Sequence, residues 1–348
     1  MKTVYTEDHR HQDGKLELID GKFLPPFEMP RRAQIVIDRV KATKLGPIMA
    51  PQEFGLEPIR RVHDKGFVEF LRTAWDEWVL AHGAYDALPL VWHTRGFRKK
   101  PPLPEAIDGK LSYYAIDAGT PITAGTWRAV SAAANVALTG VKLVEGGERT
   151  AFSLCRPPGH HAGSDFYGGY CFLNNAAIAA QAFRDKGAKR VAILDVDYHH
   201  GNGTQEMFYG RADVLTISIH ADPRQEYPFF LGFADETGKG KGEGFHLNLP
   251  LRWGSAWDRY DGALQTAMKR IRKYGPEVIV VSLGLDTFKE DPISKFKLGH
   301  KDYLRMGEMI AGAGKPTLFV MEGGYAVDAL GVNTVNVLTG FEQAARRR

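Results

Sequence analysis

The 348-residue chain is 44% hydrophobic, carries a net charge of +4 and has only two cysteines, which allows one large core and excludes a disulfide framework. No run approaches the roughly 20 apolar residues needed to cross a bilayer, and the charged opening MKTVYTEDHRHQDG lacks the apolar stretch of a signal peptide. The expectation is a soluble cytoplasmic protein that binds neither membrane nor nucleic acid, since its basic residues form no stripe interleaved with aromatics and the basic run Arg346 to Arg348 merely closes the chain.

The first stretch of distinct composition is Ala81 to Asp117, which holds Pro89, Pro101, Pro102 and Pro104 together with Lys99 and Lys100. A loop of that length is uncommon inside a compact domain and generally serves a site or a partner. Helical and strand patterns resume on both sides, so it reads as an excursion from one domain covering residues 1–348. Trp127 to Leu143 follows, Ala-rich with apolar residues at helical spacing. A strand over Ala151 to Cys155 leads into Arg156-Pro-Pro-Gly-His160-His161, and a helical pattern covers Phe172 to Arg184. Val191 to Leu194 reads as a buried strand running into Asp195-Val-Asp197-Tyr-His199-His200-Gly-Asn202-Gly. A helix over Trp257 to Tyr274 precedes the apolar run from Glu277 to Leu285, which ends on Asp286. Another over Lys301 to Ala313 precedes the strand Thr317 to Met321, which ends on Glu322-Gly323-Gly324-Tyr325, and a helix over Val327 to Leu338 completes the pattern. Strands alternating with helices imply an α/β fold whose parallel sheet is covered on both faces.

Four strand ends thus carry titratable groups. Ligands bind beyond the carboxyl ends of the strands in an open parallel sheet, so these loops are expected to face one crevice. Side chains alternate along extended chain, which sends Asp195, Asp197 and His199 to one side as long as the strand persists. Asp197 and His199 can then share one ion, with Asp286 as third ligand from a neighbouring strand. Two carboxylates and one imidazole leave a position open, which marks a catalytic zinc rather than a structural one; the oxygen-rich set also admits Fe2+. A lone Asp-x-His triplet would ordinarily be a helix cap or a loop brace, and it is the second acidic strand end that shifts the balance. Cys155 and Cys171 sit in apolar segments, as small buried thiols do.

Taken in order, CRPPGHH, LDVDYHHGNGT, VSLGLDTF and MEGGY resemble the histone deacetylase superfamily, and from TVYTEDHR to the terminal helix the chain is similar to its bacterial acetylpolyamine amidohydrolase branch. The resemblance implies the arginase/deacetylase α/β fold, with a mainly parallel sheet and helices on both faces, and hydrolysis of an acetamide to acetate and a free amine. By position it makes Asp197, His199 and Asp286 the zinc ligands and sets His160 and His161 beside the attacking water. It has Asp195 orient His160 and Asn202 orient His161, and it gives Tyr325 the substrate carbonyl. Many histone deacetylases offer His161 an aspartate where this chain has Asn202. An amide cannot stabilise an imidazolium as a carboxylate does, so His161 is expected to be neutral and the general base, with His160 cationic and electrostatic. Gly323 and Gly324 are expected to let the Tyr325 loop come close to the metal. The same fold serves arginase, a two-metal enzyme, but Gly201 and Phe288 supply no bridging carboxylate, so one metal is expected.

The resemblance further implies a structural potassium ion at the Asp195 and Asp197 carboxyls, the His199 and Ile219 carbonyls and Ser218. It implies substrate contacts from Tyr170 and Tyr227, whose faces suit a methylene chain and an ammonium, and a homodimer in which residues 81–117 narrow the entrance. Gly119 stands where the branch's prototype has an acid for the distal ammonium. Asp117 or Asp108 is expected to replace it, which favours short diamines such as acetylputrescine or acetylcadaverine over longer acetylated polyamines. Two other readings stand beside this one. A protein lysine deacetylase would need a wide mouth, and a non-catalytic ligand-binding relative would be expected to have lost a ligand or the tyrosine, whereas every such position is filled here.

Overall fold

The computed structural model describes residues 1–92 and 101–347. Its strands are β1 (Lys2–Val4), β2 (Glu17–Ile19), β3 (Lys22–Leu24), β4 (Ile48–Met49), β5 (Thr150–Ser153), β6 (Val191–Asp195), β7 (Val214–Ala221), β8 (His246–Leu251), β9 (Val278–Leu283) and β10 (Thr317–Met321). Its helices are α1 (Arg31–Ala42), α2 (Glu57–Arg60), α3 (Lys65–His82), α4 (Ile107–Tyr114), α5 (Thr126–Glu145), α6 (Asn175–Asp185), α7 (Asn202–Phe208), α8 (Trp257–Tyr274), α9 (His300–Ala311) and α10 (Val327–Arg346). Eight strands form one sheet in the order β4-β1-β5-β10-β9-β6-β7-β8, and every pairing in it is parallel. Strands β2 and β3 make a separate antiparallel hairpin.

The alternation of side chains explains why the strands read as unbroken apolar runs. In β9, Val278 and Val280 pack with Val136 of α5 and Phe183 of α6. Ile279, Val281 and Leu283 point the other way, to Leu264 of α8, Ile310 of α9 and Phe341 of α10. In β10, Leu318 and Val320 join the first group and Phe319 and Met321 the second. With both faces covered, each fully buried aliphatic side chain contributes about 1.5–3 kcal/mol, and no polar face is left to interrupt the pattern. No helix among the described residues is long and apolar enough to cross a membrane.

The expected helices are present, α8 with the expected ends and the others with shifted ones. Asn174 caps α6 by accepting from the Ala177 N–H at 2.9 Å, so Phe172 and Leu173 lie ahead of the helix. Helix α10 runs on to Arg346 because Phe341 and Ala345 stay buried along its last two turns. The excursion over 81–117 is not loop throughout. Residues 93–100, with Lys99 and Lys100, lie outside the described residues, but α4 seats Ile107, Leu111 and Tyr114 against Phe67, Phe70 and Leu71 of α3 in a third apolar cluster. Flanking prolines hid this two-turn helix from periodicity.

Candidate active site

The four strands that carry the motifs, β5, β10, β9 and β6, are neighbours at the centre of the sheet, so their carboxyl ends open into one place. Alternation along the chain does not aim the acids, as the sequence suggested it would, because β6 stops at Asp195. Side chains bonding to loop amides do the work. The Asp195 Oδ1 accepts the Asp197 N–H at 3.1 Å, and the Asp197 Oδ1 accepts the His199 N–H at 2.9 Å. The Asp197 Oδ2 accepts the Gly323 N–H at 2.9 Å, and the Asp286 Oδ1 accepts the Tyr198 N–H at 2.7 Å. These bonds leave one oxygen of each carboxylate near His199, whose Nδ1 lies 3.0 Å from Asp286 Oδ2 and 3.4 Å from Asp197 Oδ1.

The donor atoms of Asp197, His199 and Asp286 all lie within 4.8 Å of one another, and all three residues are buried. Their electrostatics suit a cation. Burial and the neighbouring Asp197 push the Asp286 carboxyl up to about 8. Burial acts on Asp197 in the same sense, but the charges of His160 and His199 outweigh it and hold that carboxyl below the usual range. Two desolvated carboxylates that must share a proton are the arrangement a divalent ion resolves. Gly323 is required here, since a Cβ on it would sit 2.6 Å from both Asp197 Oδ2 and Asp286 Oδ2. Gly323→Ala is therefore expected to weaken metal binding by about 10–100-fold in competition with a chelator, and unchanged affinity would contradict this account of the trio.

The His160 and His161 rings lie against each other with centroids 4.1 Å apart and planes tilted by 43°. The His160 Nδ1 lies 3.0 Å from Asp195 Oδ2. The His161 Nδ1 lies 2.6 Å from Asn202 Oδ1, while the Asn202 amide nitrogen donates to the His161 carbonyl at 3.3 Å. An amide oxygen only accepts, so the His161 Nδ1 carries the proton and Nε2 keeps its lone pair. Burial lowers the affinity of both rings for a proton. At His160 the Asp197 and Asp195 carboxylates overcome it and lift the ring to about 10. At His161 the charges of His160 and His199 add to it and hold the ring well below the ordinary 6.5.

The Tyr325 loop is pinned from both sides. Asp291 Oδ2 accepts the N–H groups of Tyr325 at 2.6 Å and Ala326 at 3.1 Å. The Arg32 guanidinium donates to the Gly324 carbonyl at 2.7 Å and the Glu322 carbonyl at 2.6 Å, and it lies 4.7 Å from the Tyr325 ring centroid. Gly324 has φ of 123°, a conformation other residues avoid. Burial keeps the Tyr325 hydroxyl protonated far beyond neutral pH.

The Tyr170 ring lies 5.5 Å from that of Tyr325, and Tyr227 meets His161 edge-on at 5.0 Å. The Tyr227 hydroxyl donates to Asp117 at 2.8 Å. Asp117 also accepts from the Gly119 and Gly169 N–H groups and the Thr120 hydroxyl, so it braces the wall behind Tyr227. Asp108 lies 2.9 Å from His82 of α3. Ser218, register partner of Asp195 across β6 and β7, is 2.8 Å from the His220 Nδ1, and Ile219 follows it, buried. Sequence reasoning missed Glu17, Arg32 and Asp291. Glu17 is fully buried on the β2 hairpin, with Oε1 accepting the Phe27 N–H at 3.2 Å and Oε2 without a partner. Burial pushes its carboxyl up to about 7, against the pull of the adjoining Tyr170 hydroxyl and the Phe27 amide and with some help from Asp117.

Residues 26–341 match the family described as histone deacetylase domain. The chain is 60% identical to acetylpolyamine amidohydrolase 2 of Pseudomonas aeruginosa, over 99% of this chain and 100% of that protein. It is 49% identical to the acetylpolyamine amidohydrolase of Mycoplana ramosa, over 98% and 99%. The crystal structure of acetylpolyamine aminohydrolase from Burkholderia pseudomallei superposes with a TM-score of 0.94 at 36% identity, covering 99% of each chain.

Proposed function

The chain belongs to the histone deacetylase family and is a hydrolytic deacetylase, and from that premise we propose that it cleaves acetylated polyamines or short diamines to acetate and the free amine. Asp197, His199 and Asp286 would hold a single zinc ion, with Fe2+ as the alternative the donor set allows. When bound, that ion lowers the pKa of water and polarises the amide carbonyl. The rest is done by side chains. The neutral His161 takes the water proton on Nε2 and returns it to the leaving amine. His160, held cationic by Asp197 and Asp195, stabilises the charge that develops as water attacks. The Tyr325 hydroxyl donates to the carbonyl oxygen as that oxygen gains charge. Tyr170 and Tyr227 flank the methylene chain. Asp195, Asp197 and Ser218, with the carbonyls of His199 and Ile219, form an all-oxygen set that suits potassium, which would steady the loop bearing the zinc ligands. We read residues 81–117 as a dimer contact that narrows the mouth, a role favoured by the exposed Leu90 and Val91.

The observation that favours an ammonium-bearing substrate over an acetyl-lysine peptide is Glu17. It places a buried carboxylate beside Tyr170, one residue before Leu18, whose carbonyl lies 3.7 Å from where a side chain on Gly119 would begin, and so next to the position where the expected acid is missing. Its raised pKa means that the folded state binds this proton more tightly than the unfolded chain. Its contribution to stability is therefore complete below about pH 4.5 and lost as pH rises through about 7. Glu17→Gln is thus expected to be more stable than the parent at pH 8, by about 1–3 kcal/mol, with the gain shrinking toward pH 5. The same substitution is expected to raise KM for acetylputrescine about tenfold or more and to leave N-butylacetamide, which has no ammonium, unaffected. Equal changes for the two amides would remove Glu17 from the substrate site.

A further inference from the structure

A second convergence of donors lies beside the catalytic histidines. A ring nitrogen of His160, the Sγ of Cys171 and a carboxylate oxygen of Glu322 are all within 4.8 Å of one another, and all three residues are buried. Glu322 Oε2 accepts the N–H groups of Gly159 at 2.6 Å and His160 at 3.1 Å, while Oε1 has no partner. The Cys171 thiol donates a weak bond to the Gly169 carbonyl at 3.3 Å. A fully buried carboxylate oxygen without a donor calls for one, and the neighbours within reach are a thiol and an imidazole.

We propose that His160, Cys171 and Glu322 form a second, inhibitory site for a borderline or soft divalent cation such as zinc or cadmium. On binding, the Cys171 thiol and the His160 imidazolium each release a proton to solvent, so that the ring supplies a nitrogen lone pair while thiolate and carboxylate together balance the divalent charge. One sulfur, one nitrogen and one oxygen select zinc or cadmium over magnesium or calcium. The required bonds of about 2.0–2.3 Å need only a small inward movement of the three side chains. The trio Asp197, His199 and Asp286 has no sulfur, which makes the two sites spectroscopically distinct. Occupancy of the second site takes the His160 ring out of the reaction, so metal beyond one equivalent inhibits. This last step rests on the role given to His160 above, whereas the binding itself does not.

The test uses protein loaded with one equivalent of zinc and titrated with cadmium, reading the ultraviolet thiolate-to-cadmium absorption, the zinc retained and the hydrolysis of acetylputrescine. The absorption should saturate at one cadmium per chain with zinc retained, and the rate should fall at least tenfold in parallel. Cys171→Ser, or Cys171→Ala should serine misfold, should abolish both changes while keeping the one-zinc rate, and Cys155→Ser should keep both. Cadmium displacing zinc from the first site gives no thiolate band, so that event cannot imitate the result. Absence of the band, a band that survives loss of Cys171, or a saturated band with an undiminished rate would overturn the proposal. An error in the substrate would show as a low rate throughout, with the band intact.

Discussion

Tyr325→Phe is expected to lower kcat about 100–1000-fold, the usual consequence of removing one donor from a developing oxyanion, while metal content and KM change little. The ring's surroundings are independent of the hydroxyl. Arg32 lies over its face, Tyr170 against it, and Asp291 holds its backbone N–H at 2.6 Å, so phenylalanine should keep the loop in place. Burial holds the hydroxyl protonated across the working range, which makes it a donor at every pH of interest and predicts that the loss is uniform with pH. A variant within tenfold of the parent would show that the carbonyl is polarised without Tyr325.

His161→Ala is expected to cost about 100–10,000-fold in kcat/KM, the range for general acid–base catalysis, and to change the shape of the pH profile. Burial and the charges of His160 and His199 hold the ring well below 6.5, so it is an unprotonated base at neutral pH. In the parent, activity should persist into mildly acidic solution and fall only when this ring takes a proton. The variant should lose that acidic limb along with the rate. Asn202 sets the tautomer through a 2.6 Å contact with Nδ1, so Asn202→Ala should move the profile in the same direction by a smaller amount. Near-normal activity of His161→Ala with an unaltered profile would transfer the base role to His160, whose lifted affinity for a proton makes it the poorer candidate.

The sequence was legible wherever a strand ran apolar to its end and stopped on a polar group. Asp197, His199 and Asp286 were identified that way and the structure brings them together, although by a different cause. The strand ends at Asp195, and hydrogen bonds from loop amides to the carboxylates aim the ligands. The His161 partnership with Asn202 came from the family resemblance by position, and only its consequence, a neutral ring, followed from the chemistry of an amide in place of a carboxylate. Glu17 was not, since a glutamate between Leu16 and Leu18 in a short hairpin strand looks like an ordinary solvent-facing residue until tertiary packing buries it. Arg32 lies about 290 positions from the carbonyls it holds, and no local pattern reports such a distance. Helix α4 was hidden because its apolar face spans two turns between prolines, too few for periodicity to register.

The most direct test of the central claim is the steady-state hydrolysis of acetylputrescine, acetylcadaverine, acetylspermidine and an acetyl-lysine peptide by the zinc-loaded protein, with Asp286→Ala as control. The free acetylated amines are expected to turn over, fastest for the short diamines, at much higher kcat/KM than the peptide, with all turnover lost in the control. Peptide hydrolysis at equal or better efficiency would place the protein among the lysine deacetylases and contradict the assignment.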